Sequence, residues 1–169
     1  ILILSAGVSI GDYDFVGEAL KELGVEVFFE KVALKPGKPT MFGKIKDTVI
    51  FALPGNPVAA FVTFELFVYP AIQKMMGAET YNRPLINVVL EVDYPARKKL
   101  TEYRPACIRQ KDGKLSVFPV EWHGSADLLS TTNANCLLVV PDEDVEKITA
   151  GQIVNVMLLE DVFSNYSGV

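Results

Sequence analysis

Gly77 separates two stretches of different hydrophobic rhythm, and that change limits what the whole chain can fold into. Before it, apolar runs alternate with loops and helical stripes. Ile1-Leu2-Ile3-Leu4 reads as a strand buried on both faces, the kind found in parallel sheets. Phe15, Val16, Ala19, Leu20 and Leu23 form the stripe of an amphipathic helix, and Gly24 is placed to end it. A strand is expected over 25–29, then a pair over 40–45 and 49–53 joined by the polar turn Lys46-Asp47. Asn56 suits a helix N-cap and Pro57 its first position, ahead of a long apolar segment, Val58 to Met76, that Pro70 should kink. After Gly77 the chain reads as short strands over 85–92, 103–109, 115–120, 136–140 and 153–159, with Asp112-Gly113 as a hairpin signal. The expectation is an α/β layered domain over residues 1–77 and a small antiparallel β-barrel domain over 83–169.

Composition excludes several function classes. The 16 Lys+Arg against 21 Asp+Glu leave a net charge of −5, which argues against a nucleic-acid partner. Cys107, Cys136 and a single His make neither a disulfide framework nor a four-ligand zinc site. No uninterrupted apolar run of about 18 residues occurs, so no membrane partner is expected, and no signal-peptide pattern opens the chain. A cytoplasmic location is the expectation. A chain that starts inside a buried strand, without an initiator Met, is expected to be the C-terminal part of a longer protein.

Three loops carry chemistry. Gly7-Val8-Ser9-Ile10-Gly11-Asp12-Tyr13-Asp14 links a strand's C-terminal end to a helix N-terminus, where open α/β sheets bind ligands and amides favour anions. Its glycines allow close approach of a phosphate, while Asp12 and Asp14 either cap the helix or hold a hard cation such as Mg²⁺. It is neither a P-loop nor a GxGxxG turn, and the plainer alternative is a tight turn with acidic caps. The second loop belongs to a segment with five lysines (31, 35, 38, 44 and 46) and no acid. Its Lys35-Pro36-Gly37-Lys38-Pro39 stretch is a stiff display of point charges suited to an oxyanion, or else a solvated basic loop. The third, Leu53-Pro54-Gly55-Asn56-Pro57, is by itself a turn and helix cap. His123 beside Trp122 and the aromatic run 61–67 read as packing residues, and the two cysteines as buried small hydrophobes.

Taken in order and spacing, residues 5–14, 34–39 and 53–58 closely resemble the molybdopterin molybdenumtransferase family, the MoeA proteins and the E domains of gephyrin and its plant relative. The resemblance covers essentially the whole chain. It implies the C-terminal part of a molybdopterin-binding α/β domain followed by the family's C-terminal β-barrel. It further implies insertion of molybdate (or tungstate) into adenylylated molybdopterin with release of AMP, Mg²⁺ as the cation, and a homodimer in the full-length protein. Carried over by motif, Asp12 and Asp14 are the acidic pair near metal and pyrophosphate. Lys31 and Lys35 neutralise ligand charge, and Lys38 with Pro39 lies by the oxyanion. Gly7, Ser9 and Gly11 approach the ligand, and Asn56 between Pro54 and Pro57 shapes the pocket. Arg104 and Ser125 of the barrel match the family's molybdate contacts, so an oxyanion site shared by Lys35, Lys38, Arg104 and Ser125 is expected. The plainer role for Arg104 is a surface pair with Glu102 or Glu121.

Two departures from the family pattern stand out. Ala6 replaces a usual second glycine, which should alter the loop's approach to phosphate. Ala59 and Ala60 follow the Pro54–Pro57 turn where many members carry a Ser, so one oxyanion hydrogen bond is expected to be missing or replaced by water. A non-catalytic scaffold of the same fold, as in gephyrin, is the alternative function. It would leave the retained lysines and aspartates without a role.

Overall fold

A computed structural model of the chain describes residues 1–8, 14–96, 100–111, 113–121, 127, 129–142 and 146–159. The chain divides into two compact units, Ile1–Tyr81 and Asn82–Val169.

The first unit is a mixed sheet with helices on both faces. Its elements are β1 (Leu2–Ser5), α1 (Val16–Glu22), β2 (Glu26–Phe29), the two-residue β3 (Leu34–Lys35), β4 (Met41–Ile45), β5 (Thr48–Leu53), α2 (Pro57–Thr63) and α3 (Tyr69–Met75). The sheet order is β1-β5-β4-β2; β1 runs parallel to β5, and the other pairs are antiparallel. Period-two alternation along β5 builds both layers. Ile50 and Ala52 face α1 through Leu20, with Val25 and Met41, whereas Phe51 and Leu53 face the other way onto Val68, Phe64 and Phe67. Phe42 extends that second layer, with its ring centroid 4.8 Å from Phe51 and 5.3 Å from Phe28. Gly24 closes α1 as expected: its N–H and that of Val25 donate to the carbonyls of Lys21 and Leu20 at 2.9 and 3.0 Å.

The opening strand departs from expectation. Among the described residues Ile1, Leu2 and Ile3 are 47%, 41% and 40% exposed, and β5 is the strand paired with β1. An apolar run reports a strand, but not how many neighbours cover it.

Pro70 acts earlier than a simple kink. Between α2 and α3 the chain makes a π turn over Phe64–Val68, and Pro70 sits in the first turn of α3. Proline has no N–H to give the preceding turn and its ring crowds that turn's carbonyl, so widening the helix there relieves both. The continuous helix Pro57–Met75 is long and apolar enough to cross a membrane by length and composition alone. Its Val58, Val62 and Val68 are fully buried, and Val68 packs on β5, as in a core helix.

The second unit is a barrel. Its elements are β6 (Leu85–Leu90), β7 (Tyr94–Pro95), β8 (Thr101–Lys111), β9 (Lys114–Pro119), α4 (Leu129–Thr132), β10 (Cys136–Val140), β11 (Lys147–Ile148) and β12 (Ile153–Leu158). Strands follow one another in the order β10-β12-β6-β9-β8, and β8 pairs back onto β10 to close the ring. The expected all-antiparallel pattern fails at one place, where β6 and β9 run parallel. The cause is topological: directions cannot alternate around a closed ring with an odd number of strands. Inside lie Leu90, Ala106, Val117, Cys136, Leu138, Val140 and Val156. Cys107 is half-buried, not buried like Cys136, since its neighbour Ala106 takes the inward position.

Candidate functional site

In the α/β unit, loops distant in sequence meet at one pocket of about 240 Å³, lined by Ala6, Gly7, Val8, Asp14, Pro39, Pro54, Gly55 and Asn56. The meeting follows from sheet order. Because β1 and β5 are parallel neighbours, the loops after Ser5 and Leu53 leave from the same end, and the Ala6 N–H donates to the Leu53 carbonyl at 3.0 Å. The Val16 N–H donates to the Gly7 carbonyl at 3.1 Å and ties the first loop to α1. Glycine is required at position 7: φ is +78° and an added Cβ would sit 2.5 Å from Val16 Cγ2.

Ala6 has φ +76°, a left-handed conformation that glycine adopts far more readily. The departure noted in the sequence is therefore a strained residue at the pocket rim. Gly55 faces it, and a Cβ there would lie 3.0 Å from Ala6 Cβ.

A second hollow of about 190 Å³, lined by Val8, Asp14, Gly17, Glu18, Lys21, Glu30, Lys31 and Met41, shares Val8 and Asp14 with the first. Lys21 and Glu30 are ion-paired there. Of the expected residues, Gly7, Asp14, Pro39, Pro54 and Asn56 line the first pocket and Lys31 lines its neighbour. Pro57 begins the helix behind Asn56, which occupies the N-cap position without a side-chain capping bond. Ser9, Gly11, Asp12 and Ser125, with Trp122 and His123, lie outside the described residues.

Lys35 and Lys38 are not among the residues lining either hollow. Sequence chemistry marks their charge but not their direction. The loop that carries them is bolted down from below. Gly37 has φ +115° and packs so tightly on α2 that a Cβ would meet Thr63 Cγ2 at 2.3 Å. Thr40 Oγ1 donates to the Gly37 carbonyl at 2.6 Å, and the Val32 and Thr40 N–H groups both donate to the Lys38 carbonyl at 3.0 Å. Thr63 Oγ1 in turn donates to the Ala59 carbonyl at 2.8 Å. Ala59 is thus buried in this support and does not line the pocket. Gly37 belongs to a stretch the sequence marks, but Thr40 and Thr63 carry no signal there, since a threonine's supporting hydrogen bond appears only once the loop is folded onto α2.

In the barrel, Arg104 is half-buried on β8. Its Nη2 donates to the Val120 carbonyl at 3.1 Å, and its Cζ lies 6.0 Å from the centre of the Tyr94 ring. Burial pushes its pKa down, while the electrostatic influence of Tyr94 and Glu102 opposes that. Glu102 is 2% exposed and accepts a 2.8 Å hydrogen bond from the Tyr94 hydroxyl. A larger hollow of about 410 Å³ on the barrel, near Asn87, Lys147, Gln152 and Asn155, contains none of the expected residues. Its Lys147 is held by Asp93 at 2.5 Å.

Comparison with known proteins bears on these two units separately. Residues 1–74 match the family described as "Probable molybdopterin binding domain", and residues 87–159 match "MoeA C-terminal region (domain IV)". The chain is 36% identical over 160 residues to the molybdopterin molybdenumtransferase of Bacillus subtilis and 33% identical to that of Staphylococcus aureus. These alignments cover 95% of this chain but only 37% and 38% of the relatives. Among solved structures, a MoeA protein of Pyrococcus horikosii matches with a TM-score of 0.75 and 26% identity, covering 95% of this chain and 37% of that one. A molybdenum cofactor biosynthesis protein from Pyrococcus furiosus matches with a TM-score of 0.64 and 31% identity, covering 87% and 55%.

Fold and matches together define the class: a molybdopterin-binding-type α/β unit followed by a MoeA-type barrel. Within that class the chain is similar along 95% of its length to molybdopterin molybdenumtransferases, of which it spans about 37%.

Proposed function

We propose that the protein carrying this chain works in molybdenum cofactor biosynthesis, inserting molybdate or tungstate into adenylylated molybdopterin and releasing AMP. The observation that carries this reading is the convergence of the 6–8, 39 and 54–56 segments on one pocket with Asp14 at its wall. Backbone-rich walls and the start of a long helix favour an anionic group, and glycine at position 7 lets it approach closely. Asp14 reaches both hollows, so one carboxylate serves a ligand extended across them.

The donor set fits Mg²⁺, which is held by one or two carboxylates together with substrate phosphates. Asp14, with Asp12 beside it in sequence, would hold the ion, whose chemical contribution is to neutralise the pyrophosphate oxygens. Lys31 in the adjoining hollow supplies positive charge to the same ligand. Lys35 and Lys38 flank the anchored Gly37 and supply the charge of the α/β unit to an oxyanion; Arg104 and Ser125 are the barrel's own oxyanion contacts. A homodimer of the full-length protein belongs to the same proposal.

The test is thermal. Molybdate or tungstate should raise the melting temperature of the full-length protein, by an amount that grows with oxyanion concentration. A melting temperature indifferent to both oxyanions, with and without Mg²⁺, would overturn the reading.

A further inference from the structure

Glu102 is a carboxylate almost fully enclosed by the barrel, and such groups are costly unless a partner is built for them. An apolar residue would give this position a more stable core, so its surroundings indicate what the charge does. On β8, residues 102 and 104 lie on the same face of the strand. Glu102 pairs across to Val140 on β10, and Tyr94 beside it pairs with Ile148 on β11. The Tyr94 hydroxyl donates to Glu102 Oε1 at 2.8 Å, and the Tyr94 ring lies under the Arg104 guanidinium. The third constraint on Arg104 is the 3.1 Å bond from Nη2 to the Val120 carbonyl. A long, rotamer-rich side chain is thus limited by a ring below it and a carbonyl at one nitrogen, and that ring is itself fixed through its hydroxyl by the buried Glu102.

We propose that Tyr94 and Glu102 are positioning residues that hold the Arg104 guanidinium ready for a tetrahedral oxyanion. The proposal rests on the reading of Arg104 as an oxyanion contact. Tyr94 and Glu102 touch no ligand in it; they remove the cost of ordering Arg104 when the ligand arrives.

The experiment measures molybdate binding by calorimetry on the full-length protein, for the wild type, Glu102→Gln, Tyr94→Phe, Arg104→Ala and the double variants with Arg104→Ala. Glu102→Gln keeps the acceptor for Tyr94 and removes the charge; Tyr94→Phe keeps the ring and removes the donor. Glu102→Gln should weaken molybdate binding about tenfold, or about 1.4 kcal/mol, and Tyr94→Phe by about threefold, within the cost of ordering one such side chain. Neither should weaken it further once Arg104 is alanine, which a merely structural role would not produce. If Arg104→Ala weakens binding while folded Glu102→Gln and Tyr94→Phe bind as wild type, the positioning role is wrong and the proposed function stands. If Arg104→Ala binds molybdate normally, the assignment of Arg104 fails and takes the positioning role with it. Should Glu102→Gln not fold, Tyr94→Phe and its double variant decide alone.

Discussion

Replacing Ala6 by glycine should stabilise the protein, contrary to the usual effect of introducing glycine. At φ +76° the alanine Cβ crowds the backbone, a cost of about 1–2 kcal/mol relative to glycine. Glycine adds freedom to the unfolded chain, which takes back about 0.5–1 kcal/mol. The methyl group is exposed, so its removal forfeits almost no burial. The net expectation is a gain of about 0.75 kcal/mol from the middle of those ranges, or roughly 0.4 M in urea midpoint at about 2 kcal/mol per molar. Equilibrium urea unfolding of the full-length protein, followed by tyrosine fluorescence, reads this shift. A second arm uses Gly55, whose added Cβ would lie 3.0 Å from Ala6 Cβ and 3.4 Å from Ala6 Cα. Gly55→Ala should therefore cost less in the Ala6→Gly background than in the wild type. A midpoint that falls or stays still in Ala6→Gly, or strictly additive effects of the two changes, would refute the argument from strain and close approach.

Other perturbations follow from the same geometry. Gly37→Ala should destabilise by about 2–4 kcal/mol, since the backbone is left-handed and the new methyl group overpacks Thr63; chemical denaturation measures it, and Gly37→Ala with Thr63→Ser should recover part of the loss. Burial pushes the Cys136 thiol up to about 12 from 9.0, so the folded state keeps a proton that the unfolded state releases. Its contribution to stability is complete below pH 9 and lost as pH rises towards 12, with a slope of at most about 1.4 kcal/mol per pH unit; unfolding curves across that range should show it, and Cys136→Ser should flatten it. On the proposed function, Asp14→Asn in the full-length protein should raise the Mg²⁺ needed for half-maximal AMP release, since the amide is a poorer ligand for a hard cation. An unchanged Mg²⁺ titration would remove Asp14 from the metal.

The local rules that hold in this chain are those whose cause is itself local. The closure at Gly24 and the Lys46-Asp47 turn depend on neighbours a few residues away, and they stand where the pattern puts them, whereas of the expected stripe only Val16 and Leu20 turn inward and Phe15 and Leu23 are 59% and 70% exposed. The exposure of β1 and the parallel β6–β9 pair depend on which strands lie alongside, which hydropathy does not encode. The pocket was legible to the extent that Gly7, Asp14, Pro39, Pro54 and Asn56 stand in turns whose chemistry is unusual. Its support was not: Thr40 and Thr63 look like any other threonine until the Gly37 loop is folded onto α2. The strain at Ala6 was legible only as a departure from a family pattern, because a sequence carries no φ.

The parallel join in the barrel also determines where the barrel is weakest. β6 and β9 are paired over only Val89–Ser116 and Leu90–Val117, a shorter seam than any other in the ring. Beyond it the Glu91 N–H still reaches the Val117 carbonyl at 2.9 Å. The Glu91 side chain then takes a 2.5 Å bond from Ser116 Oγ and a 2.7 Å bond from Arg109 Nε. The ring behaves like a hooped cask with one short stave joint and a clasp across it. Thermal breathing of the barrel is expected to start at that joint, and loss of the Glu91 clasp to make it open more often.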